Sequence, residues 1–261
     1  MAEAYEQSFG RLCAGTTEPL LDALAAAGRF GGRVPRLLDV GTGTGAVARA
    51  AVARGYAVEA IDPEPTMVAH AATLCSGIEF AVGALPDLPY PDAAFDAVAA
   101  NFVVNHVAHP LVSVIELARV CAPGGAVAAT IWPSELSEMN ALWKHVIEAA
   151  EAQVPPGGRL PPDKDFERTT AGLAGLFRAA GLLDVTSVTL DWTFTIAPDR
   201  LWLAAEAGIA TIGKTYRSQD VATQERMRRA YSERTDDLST EGFLPFRATA
   251  ILAAGNTLPH T

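Results

Sequence analysis

The chain has little cysteine and spaces it poorly for chemistry. Cys13, Cys75 and Cys121 are odd in number and contain no Cys-x-x-Cys pair. That argues against a disulfide framework and leaves reduced, buried thiols of a cytoplasmic protein as the expectation. No group of histidines, cysteines and carboxylates has metal-ligand spacing, so no metal is expected. No uncharged apolar run is long enough to cross a membrane. Glu3 and Glu6 stand where a secretory leader would be basic, so no signal peptide is predicted. Positive charge is also scarce. Lys and Arg total 20 against 30 Asp and Glu, a net charge of −10, and both halves of the chain are acidic. This excludes a basic module that would hold nucleic acid. The one basic cluster, Arg226, Arg228, Arg229 and Arg234, is interleaved with Glu225 and Glu233 and reads as a solvated helix face.

What is present is a globular composition, 49% hydrophobic and 19% charged over 261 residues. It fits one large domain spanning residues 1–261. Residues 1–30 read as a helical cover, with Leu20, Leu21, Leu24 and Ala27 at helical spacing. From 36 to 132, strands and helices alternate. Strands are predicted over 36–40, 57–61, 78–82, 94–101 and 126–132, and helices over 44–54, 64–74 and 110–121. Gly55 ends the first of these helices, Pro63 opens the second, and Pro123-Gly124-Gly125 turns the chain into the fifth strand. Right-handed crossovers then build a parallel sheet covered on both faces. After Trp132 the rhythm changes. Residues 134–153 read as an amphipathic helix with Leu136, Met139, Leu142, Trp143 and Val146 on one side, and 154–162 as a loop. A helix over 170–180, a strand over 185–192, helix over 198–236 and a last strand over 246–254 complete the chain. Segments 134–162 and 198–243 are taken as lid insertions at one end of the sheet.

The chemistry concentrates in Leu38-Asp39-Val40-Gly41-Thr42-Gly43-Thr44-Gly45-Ala46 and in the later Ala60-Ile61-Asp62. An apolar strand runs into a glycine turn and a helix N-terminus, and the next strand ends in a carboxylate. This is the pattern of a nucleotide-type site at the first crossover of a parallel sheet. Asp39 is the unusual member. It falls inside the buried strand, where a lone charge is costly, so it calls for a partner such as a ligand's ammonium group. Asp62 is suited to accept ribose hydroxyls; capping the following helix is its other reading.

Four motifs in order carry a resemblance. They are Leu38–Gly45, then Asp62-Pro63-Glu64-Pro65-Thr66-Met67, then Leu88-Pro89-Tyr90-Pro91-Asp92 through Val98, and Glu116-Leu117-Ala118-Arg119 through Gly125. Over about residues 36–132 the chain resembles a class I, Rossmann-like S-adenosylmethionine-dependent methyltransferase. The likeness is to the small-molecule type related to the ubiquinone and menaquinone C-methyltransferases. The resemblance implies a three-layer α/β fold of about seven strands, mostly parallel with an antiparallel last strand, plus a helical lid. It implies S-adenosyl-L-methionine as cofactor and a small-molecule acceptor. Asp39, Gly41, Thr42 and Gly43 would face the methionine part, Asp62 and Pro63 the ribose, and Met67 the adenine. Gly83, Ala84 and Leu85 would follow the adenine edge, although Ala84 stands where an Asp is frequent. Asn101, Phe102 and His106 would flank the sulfonium, and Arg11 would pair with the cofactor's carboxylate.

A sulfonium activates its own methyl group, so a base is needed only where the acceptor must lose a proton. His106, His109 and His145 are the candidates, with Glu138 further off. Trp132, Trp143, Trp192, Phe194, Trp202 and Tyr216 line an acceptor pocket on one reading and form ordinary core on the other. Two other functions share the pattern. A nicotinamide-dependent oxidoreductase is opposed by Asp39, whose charge would repel a pyrophosphate. A protein that holds the cofactor without transferring methyl, as a cyclase or a binder, is separated only by assay.

Overall fold

Strands β1 (Arg36–Val40), β2 (Ala57–Asp62), β3 (Glu79–Val82), β4 (Phe95–Asn101), β5 (Cys121–Ile131), β6 (Leu183–Ile196) and β7 (Leu244–Asn256) form one sheet. The computed structural model describes residues 1–157, 161 and 164–258, and orders the strands β3-β2-β1-β4-β5-β7-β6. The pairs from β3 through β5 are parallel, and β5–β7 is antiparallel. Side-chain bonds between β6 and β7 run in opposite order along the two strands: Asn256 to Asp184, Ser187 to the Leu252 carbonyl, and Thr249 to Asp191. These last strands are therefore antiparallel too.

The period-2 alternation of β1 separates two cores. Leu37 packs with Leu20, Leu21 and Leu24 of α3 (Thr17–Ala27) and Val47 and Ala51 of α4 (Ala46–Ala53). Leu38 and Val40 point the other way, to Val114 and Leu117 of α6 (Pro110–Val120) and Leu173 and Phe177 of α8 (Thr170–Ala179). Helix, sheet and helix make the three expected layers. Helix α5 (Pro65–Leu74) joins β2 to β3.

The chain divides into two compact units. Unit 2 comprises residues 16–134, 160–190 and 250–261, and unit 1 comprises 1–15, 135–159 and 191–249. Unit 1 holds α1 (Ala2–Gln7), α2 (Phe9–Ala14), α7 (Glu138–Ala149), α9 (Pro198–Glu206), α10 (Ala210–Ser218) and α11 (Val221–Leu238). Its core is aromatic. Trp202 is 1% exposed and lies with Trp143, Tyr216 and Tyr231 at ring separations of 4.7–6.3 Å. Trp143, Trp202 and Tyr216 are thus packing residues of unit 1.

Several predicted boundaries move, for local reasons. The helix expected over 1–30 is three helices. It breaks at Ser8, whose hydroxyl bonds back to the Ala4 carbonyl, and again at Gly15-Thr16. The helix expected over 198–236 is also three, interrupted at Gly208 (φ +77°) and at Asp220, which caps α11 by accepting from Thr223 N at 2.7 Å. The helix predicted from 134 begins at Glu138 because Ser137 caps it, and Leu136, expected in its buried face, is 64% exposed. Glu64, not Asp62, is the N-cap of α5, and Pro65, not Pro63, occupies its first turn. The Pro123-Gly124-Gly125 segment lies within β5 as an irregularity: the register steps from Phe95↔Cys121 to Ala97↔Ala126. Residues 158–160 and 162, part of the expected loop 154–162 and of the insertion 134–162, lie outside the described residues.

Candidate cofactor site

The strand order places a crevice. From β1 the chain moves outward to β2 and β3, then returns to the other side of β1 as β4. Ligands of open α/β sheets bind at this reversal, beyond the carboxyl ends of the strands. The ends of β1 and β4 meet there: a Cβ built on Gly41, just after β1, would lie 2.4 Å from Val103 Cγ2, two residues after β4. Gly41, Gly43 and Gly45 have φ of +67°, +55° and +84°, a region costly for any other residue type.

Two carboxylates hold this turn. Asp39 is 1% exposed. Its Oδ2 accepts from the Thr42 hydroxyl at 2.7 Å and from Ala48 N, in α4, at 3.1 Å. Its Oδ1 is buried and has no hydrogen-bond partner among the described residues. Burial pushes the Asp39 carboxyl up to about 7, against the pull of those two donors. Asp62 is 8% exposed. Its Oδ2 accepts from Gly43 N and its Oδ1 from Glu64 N, each at 2.9 Å, and burial raises its pKa. A carboxylate offers about four acceptor positions. Two are filled by these backbone groups, so two are left for a pair of ligand hydroxyls. Asp39 thus braces the turn from beneath and Asp62 pins it from the β2 side.

A third group gathers at the end of β4. Asn101 Oδ1 accepts from the hydroxyls of Thr16 (2.8 Å) and Thr130 (2.5 Å). Phe102 N donates to the Thr130 carbonyl and hydroxyl. These bonds hold Phe102 at φ +56°, an unusual conformation for a bulky residue, with its ring stacked on Trp132 at 3.9 Å. Sequence reading missed Thr16, Thr130 and the role of Trp132. Thr130 is paired with Asn101 in the β4–β5 register and was open to discovery from strand alignment. Thr16 lies 85 residues away and carried no signal.

The other predicted residues fall as follows. Gly83 N donates to the Asp62 carbonyl at 3.1 Å, which sets Gly83 beside Asp62. Ala84 is exposed and bridges to Asp87, while Leu85 packs on the core. Pro63 is exposed and Met67 half-buried, on the first turn of α5. His106 is exposed beside Asn105. His109 is exposed at the N-cap of α6 without a side-chain capping bond. Arg11 and His145 belong to unit 1, where both are exposed. Glu138, also of unit 1, is occupied by Arg247 N. Two of the four sequence motifs turn out to fix a loop. Arg119 bonds Glu116, Asp92 and the Leu88 and Tyr90 carbonyls, and Leu88 N donates to Glu116.

Among the described residues no cluster of three His, Cys, Asp or Glu could hold a metal ion, and no helix is long and apolar enough to cross a membrane. The site is thus a braced glycine turn with an open buried acid, a hydroxyl acceptor and an aromatic wall. A family profile described as "Methyltransferase domain" matches residues 38–129, the segment that contains the glycine turn, both carboxylates and Phe102. Over residues 38–129 the chain is similar to that domain. Among curated relatives, the malonyl-[acyl-carrier protein] O-methyltransferase of Erwinia pyrifoliae is 32% identical over 190 residues, 72% of this chain and 65% of that protein. The demethylmenaquinone methyltransferase of Tropheryma whipplei is 38% identical over 91 residues, 34% of this chain and 38% of that protein. The chain therefore spans less than two thirds of either relative's length. The chain shares its fold with the YcgJ protein of Bacillus subtilis. That structure has a TM-score of 0.56 at 20% identity, covering 92% of this chain and 97% of the other.

Proposed function

We propose that the protein is an S-adenosylmethionine-dependent methyltransferase that moves a methyl group in line to an O, N or C nucleophile of a small acceptor, in the cytoplasm. The observation that carries this reading is Asp39 Oδ1, buried and open beneath the glycine turn. A cationic amino group there would draw the carboxyl back to its ionised form, whereas a pyrophosphate would be repelled. The two open acceptor positions of Asp62 suit the two ribose hydroxyls, with Pro63 beside them. Gly41, Thr42 and Gly43 are assigned to the methionine end, and Met67, Gly83, Ala84 and Leu85 to adenine. Asn101, Phe102 and His106 are assigned to the sulfonium side, and Arg11 to the carboxylate.

When bound, the cofactor supplies a methyl group already activated by its sulfonium. The protein's own task is to hold the acceptor atom in line and keep water away. Where the acceptor carries a proton, His106, His109 or His145 takes it. The test is calorimetric titration with S-adenosylmethionine, paired with detection of S-adenosylhomocysteine over a panel of small acids, phenols and amines. Wild type is expected to bind, and Asp39→Leu to lose at least a hundredfold in affinity, with Asp39→Asn separating charge from shape. Undiminished binding by Asp39→Leu would remove the reading.

A further inference from the structure

The motifs that begin at Leu88 and at Glu116 hold no group assigned to the cofactor, yet they meet at one guanidinium inside unit 2. Arg119 Nε donates to Glu116 Oε2 at 2.7 Å. Its Nη2 donates to Glu116 Oε1 at 2.7 Å and to the Leu88 carbonyl at 3.3 Å. Its Nη1 donates to the Tyr90 carbonyl at 2.9 Å and to Asp92 Oδ1 at 2.7 Å. A guanidinium has five N–H donors, so the fork of Arg119 is filled. Glu116 Oε1 also accepts from Leu88 N at 2.8 Å. The Glu116 side chain is 13% exposed, and its bonds to Arg119 hold its carboxyl below the usual range. Asp92, exposed, adds little.

What this junction holds is the segment that follows β3. Leu88 is tied at both its amide and its carbonyl, and Tyr90 at its carbonyl. Leu88 is buried in the core against which Leu85 and Tyr90 pack, and the Tyr90 ring stands edge-on to Phe95 at 5.0 Å. Pro89, between the two tied residues, reaches back over Gly83. A Cβ built on Gly83 would lie 3.6 Å from Pro89 Cδ and 2.7 Å from Ile61 Cδ1. Gly83 N in turn donates to the Asp62 carbonyl. Contacts therefore lead from Arg119 through Pro89 to the end of β2 that carries Asp62. The side chains along this edge cannot read a base. Gly83, Ala84, Leu85 and Pro86 have no polar side-chain atom, so only backbone groups are left to hydrogen-bond a base lying there. Such recognition is no more exact than the backbone that supplies it, and Glu116 and Arg119 tie that backbone down.

We propose that Glu116 and Arg119 are positioning residues for base selection: they fix the backbone of residues 83–90, and that backbone tells the adenine amino group from a carbonyl. The proposal rests on the cofactor reading given above. Its test is calorimetric titration of the full chain with S-adenosylhomocysteine and with S-inosylhomocysteine, in which a carbonyl replaces the adenine amino group. Wild type is expected to prefer S-adenosylhomocysteine. Arg119→Lys keeps the charge and loses the fork. It and Glu116→Gln are each expected to lose about tenfold in S-adenosylhomocysteine affinity, and most of the preference with it. Arg54→Gln, which gives up its ion pairs at the far end of α4 from the glycine turn, is the control and is expected to change neither affinity. A role confined to stability would lower the urea midpoint of both variants and leave the affinities of the folded protein as they are. That result, or equal wild-type affinity for the two ligands, overturns the proposal and leaves the methyltransferase reading standing. Should Arg119→Lys fail to fold, Glu116→Gln alone decides. Failure of wild type to bind either ligand removes the methyltransferase reading, and base selection with it.

Discussion

Unit 2 buries carboxylates where unit 1 buries aromatic rings, and the two interiors treat their polar atoms differently. In unit 1, Tyr231 donates its hydroxyl to the Pro198 carbonyl at 2.7 Å and Trp202 its indole N–H to Glu206 at 2.8 Å. The indole N–H of Trp143 is left over, at a cost of about 1–3 kcal/mol for a neutral group. In unit 2 the leftover atoms include Oδ1 of Asp39, and an ionised oxygen cannot be left so cheaply as a neutral one. The carboxyl responds by holding its proton up to about 7. An interior built only for packing would place an apolar residue there. The difference marks the glycine turn as a place finished by something outside the chain, and the aromatic cluster as complete in itself.

The comparison breaks most visibly in unit 1. Trp202→Ala removes the ring on which Trp143, Tyr216 and Tyr231 pack and over which Arg228 sits at 4.8 Å. It is expected to cost about 3–5 kcal/mol, read as a lower midpoint in urea unfolding. A loss under about 1 kcal/mol would mean that the cluster is not a core.

Asp39 sharpens the other side through pH. Its folded pKa lies above the unfolded value of 3.8, so between about 4 and 7 the native state holds a proton that the unfolded state has released. Its contribution is therefore fully present below pH 4 and declines as pH rises toward 7. Over those three pH units the decline is of the order of 4 kcal/mol. Asp39→Asn is expected to remove that slope when ligand-free stability is compared with wild type from pH 4 to 8. Parallel curves for the two proteins would show that Asp39 ionises normally.

Asp62→Ala tests the second carboxylate. Both ligand hydroxyls and two backbone donors, Gly43 N and Glu64 N, lose their acceptor in this variant. The expected outcome is a ten- to hundredfold loss of S-adenosylmethionine affinity together with about 1–2 kcal/mol of stability. Calorimetry and urea unfolding read the two separately, and unchanged affinity would end the ribose assignment.

These residues also show what could be read in advance. The β1 turn was legible because its chemistry is local: Asp39, Thr42 and Ala48 lie within nine residues, and positive φ demands glycine. The sheet was legible because strands and helices alternate in register with their hydrophobic runs. What escaped depends on distant neighbours. Thr16 finds Asn101 only through the fold, and Phe102 is forced to φ +56° by Thr130. Helix breaks in unit 1 were hidden because Ser8 and Asp220 act through single side-chain bonds that no hydrophobic period reports.

The smallest expected effect checks the boundary between those two kinds of information. By periodicity Leu136 belongs to the apolar face of the helix that carries Met139, Leu142 and Trp143. In the structure it precedes the Ser137 cap and is 64% exposed. Leu136→Ser is therefore expected to shift stability by no more than about 0.5 kcal/mol, whereas Leu142→Ala, at 2% exposure, should cost about 2–5 kcal/mol. Ser137→Ala falls between them, at about 1 kcal/mol, because Asn140 N loses its acceptor. Equal costs at 136 and 142 would put the start of α7 back where periodicity alone places it, and the capping serine would then have no part in deciding which leucine is buried.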